Sequence, residues 1–252
     1  MHLNPNDLEI AGFFLLVVLF DAAERLRPAR DVNRLADLKI DLLSFTLAVA
    51  MNRAVTYLFR AAGHALEPEP AKGWLGTVQS WPGPLKLIIA MFVVDFLLYW
   101  IHRAQHRFDG IWRTHAWHHT IENMYWLAGF RTSFAHSFIY NIPQAGIPML
   151  VFHLSPLMTG IGYSVGLFIQ FWEHTNLKID IGPLRYLFIT PQYHRVHHSA
   201  TRYSRMNLGA TFSIWDRMFG TYVDPATMPD SFPLGLGEPI KTEEMPRMLV
   251  GV

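Results

Sequence analysis

Nine of the thirteen histidines in this 252-residue chain stand in clusters whose spacing suits metal ligands. His102 and His106 form an HxxxH. His115, His118 and His119 form an HxxHH, His194, His197 and His198 repeat it, and His174 stands between the two. Positions i, i+3 and i+4 of a helix share one face about 5–6 Å apart, so each cluster is expected to aim its imidazoles at a common point. A lone histidine is by default a surface or satisfied core residue. Five within residues 102–119 are not explained that way. The pattern predicts metal binding, with too many ligands for one ion.

With 51% apolar residues and a positive mean hydropathy, the chain is either one large soluble domain or a small multi-pass membrane protein. Apolar runs at Ile10–Ala23, Leu42–Ala62, Leu85–Ile101, Phe138–His153 and Leu157–Trp172 approach the ~20 residues that cross a bilayer, which favours the membrane. The first, fourth and fifth are short, and the last two also suit a half-inserted hairpin.

Charge sets the expected orientation. Arg25, Arg27, Arg30, Arg34 and Lys39 follow the first run, whereas Lys72 stands with Glu67 and Glu69 between the second and third. The positive-inside rule makes the first loop cytoplasmic. Residues 102–137 then return to that side, and a hairpin turning near Ser155 and Pro156 brings His174 back to it. All nine clustered histidines are thus expected on one membrane face. The amino terminus lacks the basic stretch of a signal peptide, so the first run is expected to be retained. The net charge of +1 says nothing about nucleic acid, and no basic stripe that would bind it stands out. Without cysteine, neither disulfides nor thiolate ligands are available.

Nitrogen-only ligation suits iron, copper, zinc or nickel rather than magnesium or calcium. Nine histidines divide into two ions with four or five each. Two neighbouring irons can bind dioxygen and, with two external electrons, attack an unactivated C–H bond; soluble enzymes do this with carboxylate ligands on a helix bundle. Imidazole ligands need an acceptor for their second ring nitrogen. Asp95, Asp109, Glu122, Glu173 and Asp216 are candidates, each with an exposed structural role as the alternative.

The segment from Asp95 through Tyr99, Trp100, His102 and His106 to Arg107, followed by Trp112 to His119, resembles the fatty acid hydroxylase superfamily, also called the sterol desaturase family. His174 to Asn176, Thr190 to Ser199 and Ile214 to Tyr222 carry the same likeness, which spans about residues 85–225. The resemblance implies an all-α integral membrane enzyme of about four or five apolar, multi-pass transmembrane helices bearing a cytoplasmic, helical, histidine-rich di-metal domain. Residues 1–84 would be N-terminal membrane helices and loops, 85–225 the di-iron domain, and 226–252 an irregular tail draped over it. The resemblance assigns metal ligation to His102, His106, His115, His118, His119, His174, His194, His197 and His198. It places Asn176 just behind the ligands and makes Trp215, Asp216 and Arg217 a structural lock, although a simple packed turn serves equally for that segment. In many members Arg-x-His follows the second cluster. Here Arg131 is present and Ser133 occupies the histidine's place, so His136 either supplies a tenth ligand or merely begins the next helix. His2, His64 and His153 are expected to play no part.

The implied activity is dioxygen-dependent hydroxylation of a membrane lipid by two iron ions, with desaturation on the same centre as the alternative. A metal carrier or sensor is the alternative outside enzymes. Transport predicts ionisable groups inside the helices, and the centres of runs one, three, four and five are almost free of them. No flavin, haem or dinucleotide motif is present, so a separate reductase or cytochrome is expected to supply electrons. Tyr99, Trp100, Trp112, Trp117, Tyr125 and Trp126 crowd the junction of apolar runs and histidines, where most are expected to anchor the chain at the membrane interface.

Overall fold

Each of the five apolar runs becomes a helix. The computed structural model describes residues 5–66, 72–229, 231–238 and 240–252. His2, Glu67 and Glu69 lie outside the described residues, as does the side chain of His64. The helices are α1 (Pro5–Leu26), α2 (Leu38–Leu66), α3 (Gly73–Gln79), α4 (Gly83–Arg107), α5 (Asp109–Ala116), α6 (Phe134–Gly146), α7 (Pro156–His174), α8 (Pro191–His197), α9 (Ile214–Phe219) and α10 (Met245–Val250). The described residues form no strand, only isolated bridges pairing Phe188 with Phe212 and Ser199 with Leu234.

Local chemistry explains where these helices start and stop. The hydroxyls of Ser133, Ser155 and Thr190 accept the first free backbone N–H groups of α6, α7 and α8, and proline opens α7 and α8. In the fourth run Pro143 and Pro148 remove backbone donors, and the helix widens into a π turn over Ile147–Val151. Among the described residues two helices, α2 over Leu38–Phe59 and α4 over Gly83–Arg107, are long and apolar enough to cross a bilayer. Among its described residues the tail has little regular structure before Glu244 beyond the 3-10 turn Pro225–Thr227. Pro246 in the first turn and Gly251 just past the last one are helix start and stop signals, and α10 forms between them, a correction to the expected irregular tail.

Two apolar cores hold the assembly. One joins Phe20 of α1, the loop 121–128 and Phe171 of α7, with Trp126 stacked on Phe171 at 5.1 Å. The other joins Tyr99 of α4 to Leu208 and Trp215. Buried charge ties the loops to the helices. Glu24, fully buried at the end of α1, accepts N–H from Trp126 and Asn176 and O–H from Thr175, and Arg34 lies 2.9 Å from its second oxygen. Arg131 donates to Asp41 of α2 at 2.5 Å, both side chains being buried. The loop between α1 and α2 also bonds directly to Asn123 and Asn176, so it lies on the histidine side of the molecule.

The junction aromatics depart from expectation. Tyr99, Trp117, Tyr125 and Trp126 are buried, and Trp100 alone of the six is well exposed. Trp117 donates to Ser44, and Tyr125 to Asp41. They cement loops onto helices, as buried rings with a polar handle usually do.

Candidate metal centre

The nine clustered histidines are all buried and converge in two adjoining groups. His102, His106, His115, His119 and His197 form the first, and His118, His174, His194 and His198 the second; within each, one nitrogen per ring lies within 4.8 Å of the others. Both HxxHH clusters are therefore split. The α5 helix ends at Ala116 and a 3-10 turn follows over His118–Thr120, so His115 and His119 serve one group while His118 faces the other. In α8 His197 belongs to the first group and His194 and His198 to the second. The expectation that each cluster aims at one point fails, because adjacent residues on a helix diverge by about 100°.

The ring nitrogens are spaced as ligands are. His102 Nε2 stands 2.9 Å from His115 Nε2, and His119 Nε2 3.0 Å from His197 Nε2. In the second group the Nε2 of His118, His174, His194 and His198 approach pairwise at 3.0–3.2 Å. Two nitrogens each ~2.1 Å from a common ion stand roughly 3.0–3.4 Å apart, so the residues fit metal ions well. Burial, helped by the neighbouring imidazoles, holds His115, His118, His119, His194, His197 and His198 well below the usual histidine value, and neutral rings are what a metal requires.

The other ring nitrogens explain how the lone pairs are aimed. His102 Nδ1 bonds to the carbonyl of Leu208 at 2.8 Å, His118 Nδ1 to Arg131, His174 Nδ1 to Gln170 and His197 Nδ1 to Met206. A ring that donates through Nδ1 presents Nε2 as its free lone pair. Of the five expected carboxylate acceptors only Glu173 meets imidazole, 3.5 Å from His174 Nδ1 and 3.9 Å from His194 Nδ1. Asp109 and Glu122 are exposed. Asp95 binds Trp215 and the backbone of Thr211 and Phe212. Asp216 works one step removed: it accepts from Tyr193, Thr221 and the backbone N–H of Leu208 and Gly209, and so fixes the Leu208 carbonyl that holds His102. Trp215 and Asp216 thus lock the loop beneath the first group, whereas the Arg217 guanidinium lies over the Tyr222 ring.

His136 lies outside both groups. Its Nδ1 is 3.0 Å from His115 Nδ1 and its ring stacks on Tyr140. Ser133, which the resemblance set in a histidine's place, caps α6 through its hydroxyl and donates to the carbonyl of Thr114. The Asn176 side chain bonds to the backbone of Arg30, in the loop between α1 and α2. Sequence reading missed Gly129, whose missing side chain makes room for His174: a Cβ there would lie 2.4 Å from the imidazole. It also missed Glu24 and Asp41, for which the signal was a carboxylate at the edge of an apolar run.

A model of the fatty acid hydroxylase family matches residues 87–221, more than half of the chain. The chain belongs to this family. Among curated relatives, alkylglycerol monooxygenase of Xenopus tropicalis is 34% identical over 168 residues, 65% of this chain and 36% of that protein. Ornithine lipid hydroxylase OlsE of Rhizobium tropici is 31% identical over 159 residues, 62% of this chain and 47% of its own length. Very-long-chain aldehyde decarbonylase GL1-6 of Oryza sativa subsp. indica is 27% identical over 187 residues, 69% of this chain and 27% of that protein. The chain thus matches about a third to a half of the length of the first two relatives, and less of the third. No solved structure matches it. All nine clustered histidines lie inside the region that defines the fatty acid hydroxylase family.

Proposed function

We propose that the nine histidines hold two iron ions and that the protein hydroxylates an unactivated C–H bond of a membrane lipid with dioxygen. The observation that carries this reading is the convergence of buried, neutral Nε2 atoms into two adjoining groups. Family membership and the monooxygenase and hydroxylase relatives support the reaction class. Two irons bound there supply the power to oxidise a C–H bond with dioxygen and two external electrons.

The chain's own residues prepare that chemistry. Backbone carbonyls of Leu208, Arg131, Gln170 and Met206 fix four rings in a single tautomer. His136 hydrogen-bonds behind His115, and Trp112 walls the first group, its ring 5.0 Å from His106 and 5.1 Å from His119. The buried pair Arg131–Asp41 and the Glu24 clamp hold the second group against α1 and α2. The groups sit where α4 and α7 end, so a lipid held between apolar helices can bring its chain to them. The chain spans the membrane several times with all nine histidines on the cytoplasmic side, and a separate reductase or cytochrome delivers the electrons.

The test is anaerobic iron loading followed by lipid mass spectrometry of cells with and without the protein. Hydroxylation appears as a product heavier by one oxygen. A product lighter by two hydrogens would assign desaturation, and an unchanged lipid profile together with reversible metal release would favour a carrier.

A further inference from the structure

Outside the long helices, the 3-10 turn Gly182–Tyr186 and the two residues after it expose apolar side chains on a firmly held backbone. Leu184 and Tyr186 are more than half exposed, and Leu187, Phe188 and the nearby Met218 are exposed too. This is no loose loop. The N–H of Ser213 donates to the carbonyl of Leu187, the hydroxyl of Ser213 to that of Arg185, and Phe188 bridges to Phe212. The backbone is pinned with its apolar side chains outward, an arrangement that marks an interaction surface.

The patch is continuous with the faces of two apolar helices. Phe188 stacks near Phe212 at 5.4 Å, and Phe212 near Phe92 of α4 at 5.3 Å, Phe92 being itself exposed on the spanning helix. On the other flank the indole N–H of Trp172 in α7 donates to the carbonyl of Ile189, and Trp172 stacks on the exposed Phe168. One apolar surface therefore runs from α7 across the turn to α4. The Arg217 guanidinium lies 4.8 Å over the Tyr186 ring. The same guanidinium lies 3.6 Å over the Tyr222 ring, so it braces the turn.

We propose that residues 182–188 embed in the bilayer interface as a lipid foothold of the histidine-bearing domain, beside α4 and outside the spanning helices. The proposal rests on the reading of α4 as a membrane span. A foothold there fixes the height of the metal groups above the lipid and keeps the junction of α4 and α7 in contact with it.

The absence of cysteine makes the test clean, because a single introduced cysteine carries the only nitroxide label. Leu184→Cys and Tyr186→Cys report the turn, Ile88→Cys the exposed face of α4, and Glu243→Cys the aqueous surface. The full chain is reconstituted with its metal in phosphatidylcholine–phosphatidylglycerol vesicles. Collision of each label with lipid-soluble oxygen and with a water-soluble nickel chelate is measured by electron paramagnetic resonance. Labels at 184 and 186 are expected to favour oxygen over nickel several-fold more than the label at 243, at a shallower depth than the label at 88. If they match 243 while 88 is in lipid, the foothold is wrong and the span stands. If they are shielded from both reagents, protein rather than lipid covers the patch, which also overturns the proposal. An aqueous reading at 88 would overturn the span and, with it, the foothold beside it, whatever the labels at 184 and 186 report.

Discussion

The carboxylate of Asp95, near the middle of α4, accepts the indole N–H of Trp215 at 2.8 Å. It also takes the backbone N–H of Thr211 and Phe212, so one side of this apolar helix is covered by the loop beneath the first histidine group. An ionisable residue inside an apolar run is explained by a partner from another element. Trp215→Phe is expected to leave one fully buried oxygen short of a donor and to cost about 1–3 kcal/mol. Asp95→Ala strands three donors and costs more. Thermal unfolding in detergent, with the order Asp95→Ala below Trp215→Phe below wild type, checks both.

Gly129→Ala should damage the second group selectively. The added methyl meets the His174 imidazole at well under contact distance, and overpacking of this kind costs about 1–3 kcal/mol. Metal analysis should show loss of one ion with helix content by circular dichroism unchanged. Retention of both ions would mean that His174 is not a ligand.

Glu173→Gln keeps the shape of the side chain and removes its ionisable carboxyl group beside His174 and His194. Loss of a carboxylate behind a metal-binding imidazole typically weakens metal affinity by about 10–100-fold. Competitive titration with a chelator should show this weakening for one ion only, while Glu122→Gln, at an exposed site, leaves both unchanged.

The spacing of the nine histidines made the metal groups legible in the sequence, and the apolar runs likewise gave away α1, α2, α4, α6 and α7. How the ligands divide was not legible, because it depends on α5 stopping at Ala116 and on the 3-10 turn at His118. The acceptors behind the rings were misjudged for a different reason. Carboxylates stand out in a sequence, whereas the carbonyls of Leu208, Arg131, Gln170 and Met206 belong to residues of any type. Gly129 was silent because it acts through an absent atom, and Ser133 stood out in a histidine's place and not as the cap it forms.

The pH dependence follows from the depressed histidines. Their folded values lie below the ordinary value of about 6.5, so between the two the unfolded chain binds more protons than the folded one. Stability of the metal-free protein should be level above about pH 6.5 and fall as pH drops beneath it. Bound metal, which also requires neutral rings, should be lost over an acid range as well. Denaturant titrations of metal-free protein from pH 8 to pH 5 check the sign. Stability that rises on acidification would contradict it.

Metal stoichiometry in wild type and two neighbouring variants tests the central claim most directly. His197 and His198 are adjacent in sequence yet belong to different groups. The account predicts about two irons per chain in protein loaded anaerobically. His197→Ala should weaken binding only at the five-histidine group, and His198→Ala only at the four-histidine group, where three ligands remain. The two variants should therefore lose different ions, told apart by distinct Mössbauer signals. A single iron per chain, or the same signal lost from both variants, would contradict a two-ion centre built from these nine histidines.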